Sequence, residues 1–170
     1  MKIEELNKVT EAEAEKLFMQ CCTSSSWISK MIKARPFTDQ KILVTKANQN
    51  WQRLDESDYL EAFEGHPRIG DVNSLREKYA STKKLASGEQ IAVQDASEEI
   101  LTELATGNEN YYIKFGFIFI VCATGKSALE MLELLTERLA NDRTTELMKA
   151  AEEQRKIFQI RLDKCLETTL

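Results

Sequence analysis

The sequence predicts an all-α protein: a single-domain helical bundle over residues 1–170, with one buried, extended apolar segment at about 115–123. Three observations carry that expectation. Glycine and proline are scarce, 6 and 2 in 170 residues, whereas a β-rich chain needs many of both for its tight turns. Apolar residues recur at helical spacing through most of the chain. Ser, Thr and Asp stand repeatedly just ahead of those stripes, where a side-chain oxygen can satisfy the first free N–H groups of a helix. The composition, 42% hydrophobic and 30% charged, is that of a globular domain, and a chain of this length buries enough surface for a core.

In chain order, Thr10 opens the first clear helix, with Glu13 completing a capping box and Leu17, Phe18 and Cys21 forming the stripe. Ser24-Ser25-Ser26 starts a second (Trp27, Ile28, Met31, Ile32), which must end before Pro36. Thr38-Asp39 begins a third, carrying Ile42, Leu43, Ala47, Trp51 and Leu54 inward. Ser57 is the expected cap of a helix through Tyr59 and Phe63, Gly65 its expected left-handed terminus, and Pro67 a block to continuation. A short helix is expected over Asp71–Tyr79, followed by the polar Ser81-Thr82-Lys83-Lys84, and Ser87 and Gln90 have capping-box spacing. From Ser97 the stripe Ile100, Leu101, Leu104 is helical, with Gly107-Asn108-Glu109-Asn110 expected to interrupt or bend it. Ser127 starts a helix with Leu129, Leu132, Leu135 and Leu139. Asn141-Asp142 turns the chain into a long last helix bearing Leu147, Ala151, Ile157, Ile160 and Leu162.

Phe115 to Ala123 is the exception. Its aromatic and β-branched residues favour a strand, but no second run of similar quality exists to pair with it. It reads as an extended stretch crossing the bundle, and its backbone N–H and C=O groups must find other partners, a polar ligand being one candidate. Repeats, low-complexity tracts and linkers are absent from the sequence, so no domain boundary is placed.

Charge and composition exclude several function classes. A net charge of −5 and a pI near 5.1 argue against a nucleic-acid partner, which needs a basic surface. The charged Met1–Leu6 lacks the apolar core of a signal peptide, and the longest apolar run is about half of the ~20 residues a membrane span requires. Glu167-Thr168-Thr169-Leu170 is no peroxisomal address. Four cysteines without CxxC spacing and a single histidine argue against a metal site and for reduced thiols in a cytoplasm. Gly125-Lys126-Ser127 resembles the tail of a P-loop, but Ile120 stands where its first glycine is needed, so ATP binding is rejected.

Three residue types remain as candidates for chemistry. His66, the only histidine, sits in a stiff turn before Pro67. Its unperturbed pKa of about 6.5 suits proton transfer near neutrality, and a plain helix-capping role is the alternative. Glu89 follows a small Ser-Gly pair near a helix start, where the dipole favours a carboxylate; first-turn decoration is the alternative. Arg138, Arg143, Arg155 and Arg161 read as solvated helix-face charges, although an arginine reaching a pocket would grip a carboxylate in bidentate fashion.

Taken together, His66-Pro67-Arg68-Ile69-Gly70, then Glu89-Gln90, then Asn110-x-Tyr112-x-Lys114-Phe115-Gly116-Phe117-x-Phe119 resemble the OHCU decarboxylase family. Its substrate is 2-oxo-4-hydroxy-4-carboxy-5-ureidoimidazoline (OHCU), a late intermediate of urate degradation. Arg138-Leu139-x-Asn141, Glu146, Ala150, Gln154 and Ile157-x-x-x-Arg161-Leu162 continue the match. The resemblance implies an all-helical, cofactor-free lyase, commonly a homodimer, that converts OHCU to (S)-allantoin and CO2. It implies that His66 donates the proton, that Glu89 orients substrate or imidazole and handles the hydroxyl proton, and that Arg161 clamps the substrate. It further implies a pocket lined by Pro67, by Ala86, Ser87, Gly88 and Gln90, and by Phe119, Ile120, Val121, Cys122 and Ala123, with no metal. One departure stands out: the serine the family usually carries three residues before the glutamate is Ala86 here, and Ser87 lies two before. A decarboxylase of a related ureido or hydantoin-like acid, or a non-enzymatic helical interaction module, are the alternatives.

Overall fold

The structure, a computed structural model, describes residues 1–68, 71–85 and 97–167. Its helices are α1 (Ile3–Lys8), α2 (Glu11–Cys21), α3 (Ser25–Lys33), α4 (Gln40–Trp51), α5 (Glu56–Glu64), α6 (Val72–Leu85), α7 (Glu98–Phe115), α8 (Ala128–Leu139) and α9 (Arg143–Glu167). No strand occurs among the described residues. The elements gather into two compact units. The first holds residues 1–66 and α9 from Ala150 onward; the second runs from Pro67 to Lys149.

Most helix starts follow the caps. Thr10, Ser24, Asp39, Ser97 and Ser127 each accept from a first-turn N–H, and Thr10 and Ser127 form capping boxes with Glu13 and Glu130. α5 differs from expectation. Asp55 is its cap, accepting from Asp58 N at 3.2 Å, and the Ser57 hydroxyl donates to the same carboxylate at 2.7 Å. A charged acceptor outcompetes the hydroxyl two residues later. Two further differences are the added α1 and a longer α6, where Asp71 accepts from Ser74 N at 2.9 Å.

The glycines correct two readings. Gly65 does not end α5 in the left-handed region; its φ is −69°. What requires glycine there is space, because a Cβ would lie 2.1 Å from Thr23 Oγ1. That hydroxyl donates to the carbonyls of Glu61 (3.2 Å) and Ala62 (3.3 Å), closing the α5 end that delivers His66. Gly65→Ala should therefore cost about 1–3 kcal/mol by overpacking. In denaturant titrations that loss should shrink in a Thr23→Ala background, whereas independent sites would simply add. Gly107 does not interrupt α7. It is buried inside a continuous helix where α8 packs, a Cβ there lying 2.6 Å from Leu135 Cδ2. The left-handed terminus falls at Gly116 (φ 79°), so the apolar segment leaves helix one residue after Phe115.

In the first unit the core is aromatic. Trp27 meets Phe18 edge-on at 5.9 Å and Phe158 at 5.0 Å, and Trp51 meets Phe158 at 5.6 Å and Tyr59 at 4.7 Å. Both indoles are satisfied, Trp27 Nε1 donating to Ala47 O at 3.1 Å and Trp51 Nε1 to Ala151 O at 3.0 Å. Leu43, Ala47 and Trp51 face inward as expected, but Ile42 is exposed and Leu54 half-buried. On α8 the buried stripe is Ala128, Met131, Leu135 and Arg138, with Leu129 exposed.

Arg138 overturns the reading of the C-terminal arginines as solvated. In the second unit its guanidinium is buried with Glu146, Nε donating to Oε1 at 2.5 Å. Glu146, wholly buried, also accepts from Tyr111 OH at 2.5 Å and Asn141 Nδ2 at 2.9 Å. Burial pushes the Tyr111 phenol well above its usual range, so it remains a donor. Arg138 Nη1 donates to Ile120 O at 2.6 Å, and its charge lies over the Phe119 ring at 4.6 Å. Phe117 and Phe119 in turn pack edge-on against Tyr111. The apolar segment is thus extended without a sheet: a buried arginine supplies part of what a neighbouring strand would have supplied.

Candidate active site

The site is built outward from His66. α5 ends at Glu64, and the His66 N–H continues its last turn to Phe63 O at 3.1 Å. This places the half-buried imidazole against α9, where Nε2 lies 2.5 Å from Gln154 Oε1. Nδ1 makes no hydrogen bond among the described residues. Burial lowers the His66 pKa below 6.5; the Gln154 hydrogen bond works against that shift, and the charge of Arg161 adds to it.

Gln154 and Arg161 stand seven residues apart, on one face of α9. Arg161 Nη1 donates to Cys21 O at 3.2 Å and Gln20 O at 3.5 Å, the free carbonyls at the end of α2. Guanidinium N–H groups on its other nitrogens remain for an anion. Cys22, the residue that ends α2, is buried, and burial raises its thiol to about 12. It remains a thiol at neutral pH. Cys21 Sγ lies 3.9 Å from Cys165 Sγ, and none of the four cysteines is in a disulfide.

Of the predicted site residues, the first unit brings His66 and Arg161 together. Pro67, exposed, and Phe119 to Ala123 belong to the second unit. There Ile120 is buried, Phe119, Val121, Cys122 and Ala123 are half-buried, and Arg138 fixes the Ile120 carbonyl. Ala86, Ser87, Gly88, Glu89 and Gln90 lie outside the described residues, as do Ile69 and Gly70. Arg68 pairs with Glu109 at 2.5 Å and covers the Tyr112 ring at 4.1 Å, an exposed contact worth about 1 kcal/mol or less. No cluster of three His, Cys, Asp or Glu side chains able to hold a metal occurs among the described residues, and no helix among them is long and apolar enough to cross a membrane.

Sequence reasoning assigned no role to Gln154 or to the Arg138–Glu146 pair. The seven-residue spacing of Gln154 and Arg161 on one helix was a usable signal. Nothing in local spacing marked Glu146 as the partner of an arginine across the α8–α9 turn.

An all-α fold with a lone imidazole held by a buried amide, in the field of an arginine, defines a candidate proton-transfer site for a small anionic molecule. The OHCU decarboxylase family model matches residues 7–163, and the chain belongs to that family. It is 38% identical to the uric acid degradation bifunctional protein TTL of Arabidopsis thaliana over 85% of this chain and 44% of that protein. It is 30% identical to the uric acid degradation bifunctional protein PucL of Bacillus subtilis, over 81% of this chain and 27% of that one. The chain thus spans less than half the length of either relative. Among solved structures, an OHCU decarboxylase determined in the presence of (S)-allantoin superposes with a TM-score of 0.71 at 36% identity, over 88% of this chain and 96% of that one.

Proposed function

We propose that this chain decarboxylates OHCU to (S)-allantoin and CO2 in urate degradation, with His66 as the proton donor. The observation that carries the reading is the His66–Gln154–Arg161 group, found in a chain that the family model matches from residue 7 to 163. That match runs through both compact units, which supports treating residues 1–170 as one functional domain.

The substrate carries a carboxylate and a hydroxyl on one ring carbon, beside a C=N bond. When CO2 leaves, the electron pair of the broken C–C bond enters the ring, and the C=N nitrogen takes a proton from solvent. The hydroxyl then loses its proton as the carbonyl forms, and the neighbouring carbon gains one on a single face. The substrate is its own electron sink, so the proposal requires no cofactor and no metal. In this scheme Arg161 grips the carboxylate, Glu89 takes the hydroxyl proton, and His66 delivers the proton to carbon. Pro67, Ala86 to Gln90 and Phe119 to Ala123 line the pocket. A cytoplasmic homodimer without nucleic-acid or membrane partners completes the proposal, in keeping with the net charge of −5.

The pH dependence follows from the His66 environment. The protonated imidazole is the donor, so kcat/KM should fall as pH rises through the free-enzyme pKa, which burial and Arg161 hold below 6.5. A bound carboxylate raises that pKa, so the corresponding limb in kcat should lie at higher pH. A limb that is unchanged in His66→Asn would remove His66 from the assignment. The test of the activity itself is the rate of OHCU loss against protein concentration, compared with spontaneous decay. Ala86 in place of the family serine favours one second reading, a related ureido acid as substrate. A panel of such acids, run beside OHCU, separates the two.

A further inference from the structure

Gln154 is wholly buried, and its side chain is satisfied on one side only. Oε1 meets His66 Nε2 at 2.5 Å, whereas Nε2 of the amide has no hydrogen-bond partner among the described residues. The amide bears on the Cys22 thiol, but sulfur is a weak acceptor and does not replace a normal partner. A buried donor left in this condition opposes folding, so its presence calls for a compensating role.

Its other end supplies that role. An amide oxygen can only accept, so Nε2 of His66 must carry the proton. Neutral imidazole then has its lone pair on Nδ1, the nitrogen without a partner among the described residues. The same oxygen accepts equally well from imidazolium, so the contact persists through a proton-transfer cycle. It also favours the charged form, against burial and against Arg161. We propose that Gln154 is the positioning residue of the site: it holds His66 in the Nε2–H tautomer and makes Nδ1 the atom that exchanges a proton with the substrate. This rests on the proposed function only in its last clause; the tautomer is a property of the free protein.

Because His66 is the only histidine, 15N-histidine labelling gives a one-residue spectrum in which each ring nitrogen can be read directly. In the 170-residue chain above the His66 pKa, Nε2 should be protonated and Nδ1 unprotonated. Gln154→Met, similar in volume, should lose that single tautomer and move the kcat/KM limb to lower pH. It should also lower kcat roughly 10²-fold, the scale of a misplaced catalytic group. Since the orphaned amide is removed, its melting temperature should not fall. Gln154→Glu keeps an acceptor, so it should retain the Nε2–H tautomer and move the limb to higher pH.

A proton on Nδ1 in the wild-type protein would overturn the proposal, since it means the amide presents its NH2 group to the ring. So would a Gln154→Met protein with unchanged tautomer and pH limb, or one whose lost activity merely tracks lost stability. If the wild-type protein does not accelerate OHCU loss, the proposed function fails, and the spectrum still decides what Gln154 does to His66.

Discussion

His66→Gln should lower kcat for OHCU by roughly 10²–10⁴-fold, the range supplied by a single positioned proton donor, while KM and melting temperature stay near their wild-type values. Glutamine can still donate to Gln154 Oε1, because its amide nitrogen takes the place of the imidazole Nε2 that meets that oxygen at 2.5 Å, so the α5–α9 contact survives. What it lacks is a group that titrates near neutrality. The pattern of kcat lost and KM kept is that of an interaction made only in the transition state. A rise in KM alone would recast His66 as a binding residue. Substantial retained kcat would transfer the proton donation to another group and leave His66 structural.

Removing one partner of the buried ion pair should be as damaging to stability as His66→Gln is to rate. Glu146→Ala is expected to lower the unfolding free energy by about 3–5 kcal/mol, because the Arg138 guanidinium is left buried and uncompensated. Tyr111 OH and Asn141 Nδ2 lose their acceptor in the same step. Replacing both charges, as in Arg138→Met with Glu146→Leu, should recover much of that stability, since apolar packing substitutes well for a buried pair. Activity should not recover with it. Without Arg138 the Ile120 carbonyl loses its anchor, and the Phe119–Ala123 stretch proposed to line the pocket is released. Chemical denaturation and turnover, measured on the same three proteins, check both halves. A double variant that is stable and fully active would show that the ion pair serves the fold alone.

The helix starts were legible because capping is local. A hydroxyl or carboxylate meets an N–H within the same turn, so Thr10, Ser24, Asp39, Ser97 and Ser127 announce themselves. Asp55 and Ser57 are both competent caps two residues apart, and only their competition decided between them. The glycines were not legible one by one. Gly65 and Gly116 each end a helix, but Gly65 is required for space, against Thr23 more than forty residues upstream, whereas Gly116 is required for its left-handed backbone, a distinction that neither local pattern carries. Arg138 misled because charge on a helix face is ordinarily solvated, and its partner arrives on the next helix. That partnership also explains why a segment of strand-like composition remains extended without a strand beside it. For the site, His66 stood out as the sole imidazole and Arg161 through the resemblance, whereas Gln154 required the tertiary contact to acquire a role.

The most direct test of the account generates OHCU in place from urate with the two upstream enzymes and follows circular dichroism as this protein is added. Rapid appearance of optically active (S)-allantoin is expected, at a rate proportional to protein, because a fixed donor protonates one face of the ring carbon. A trace that follows the slow, spontaneous formation of racemic allantoin, whatever the amount of protein, would contradict it.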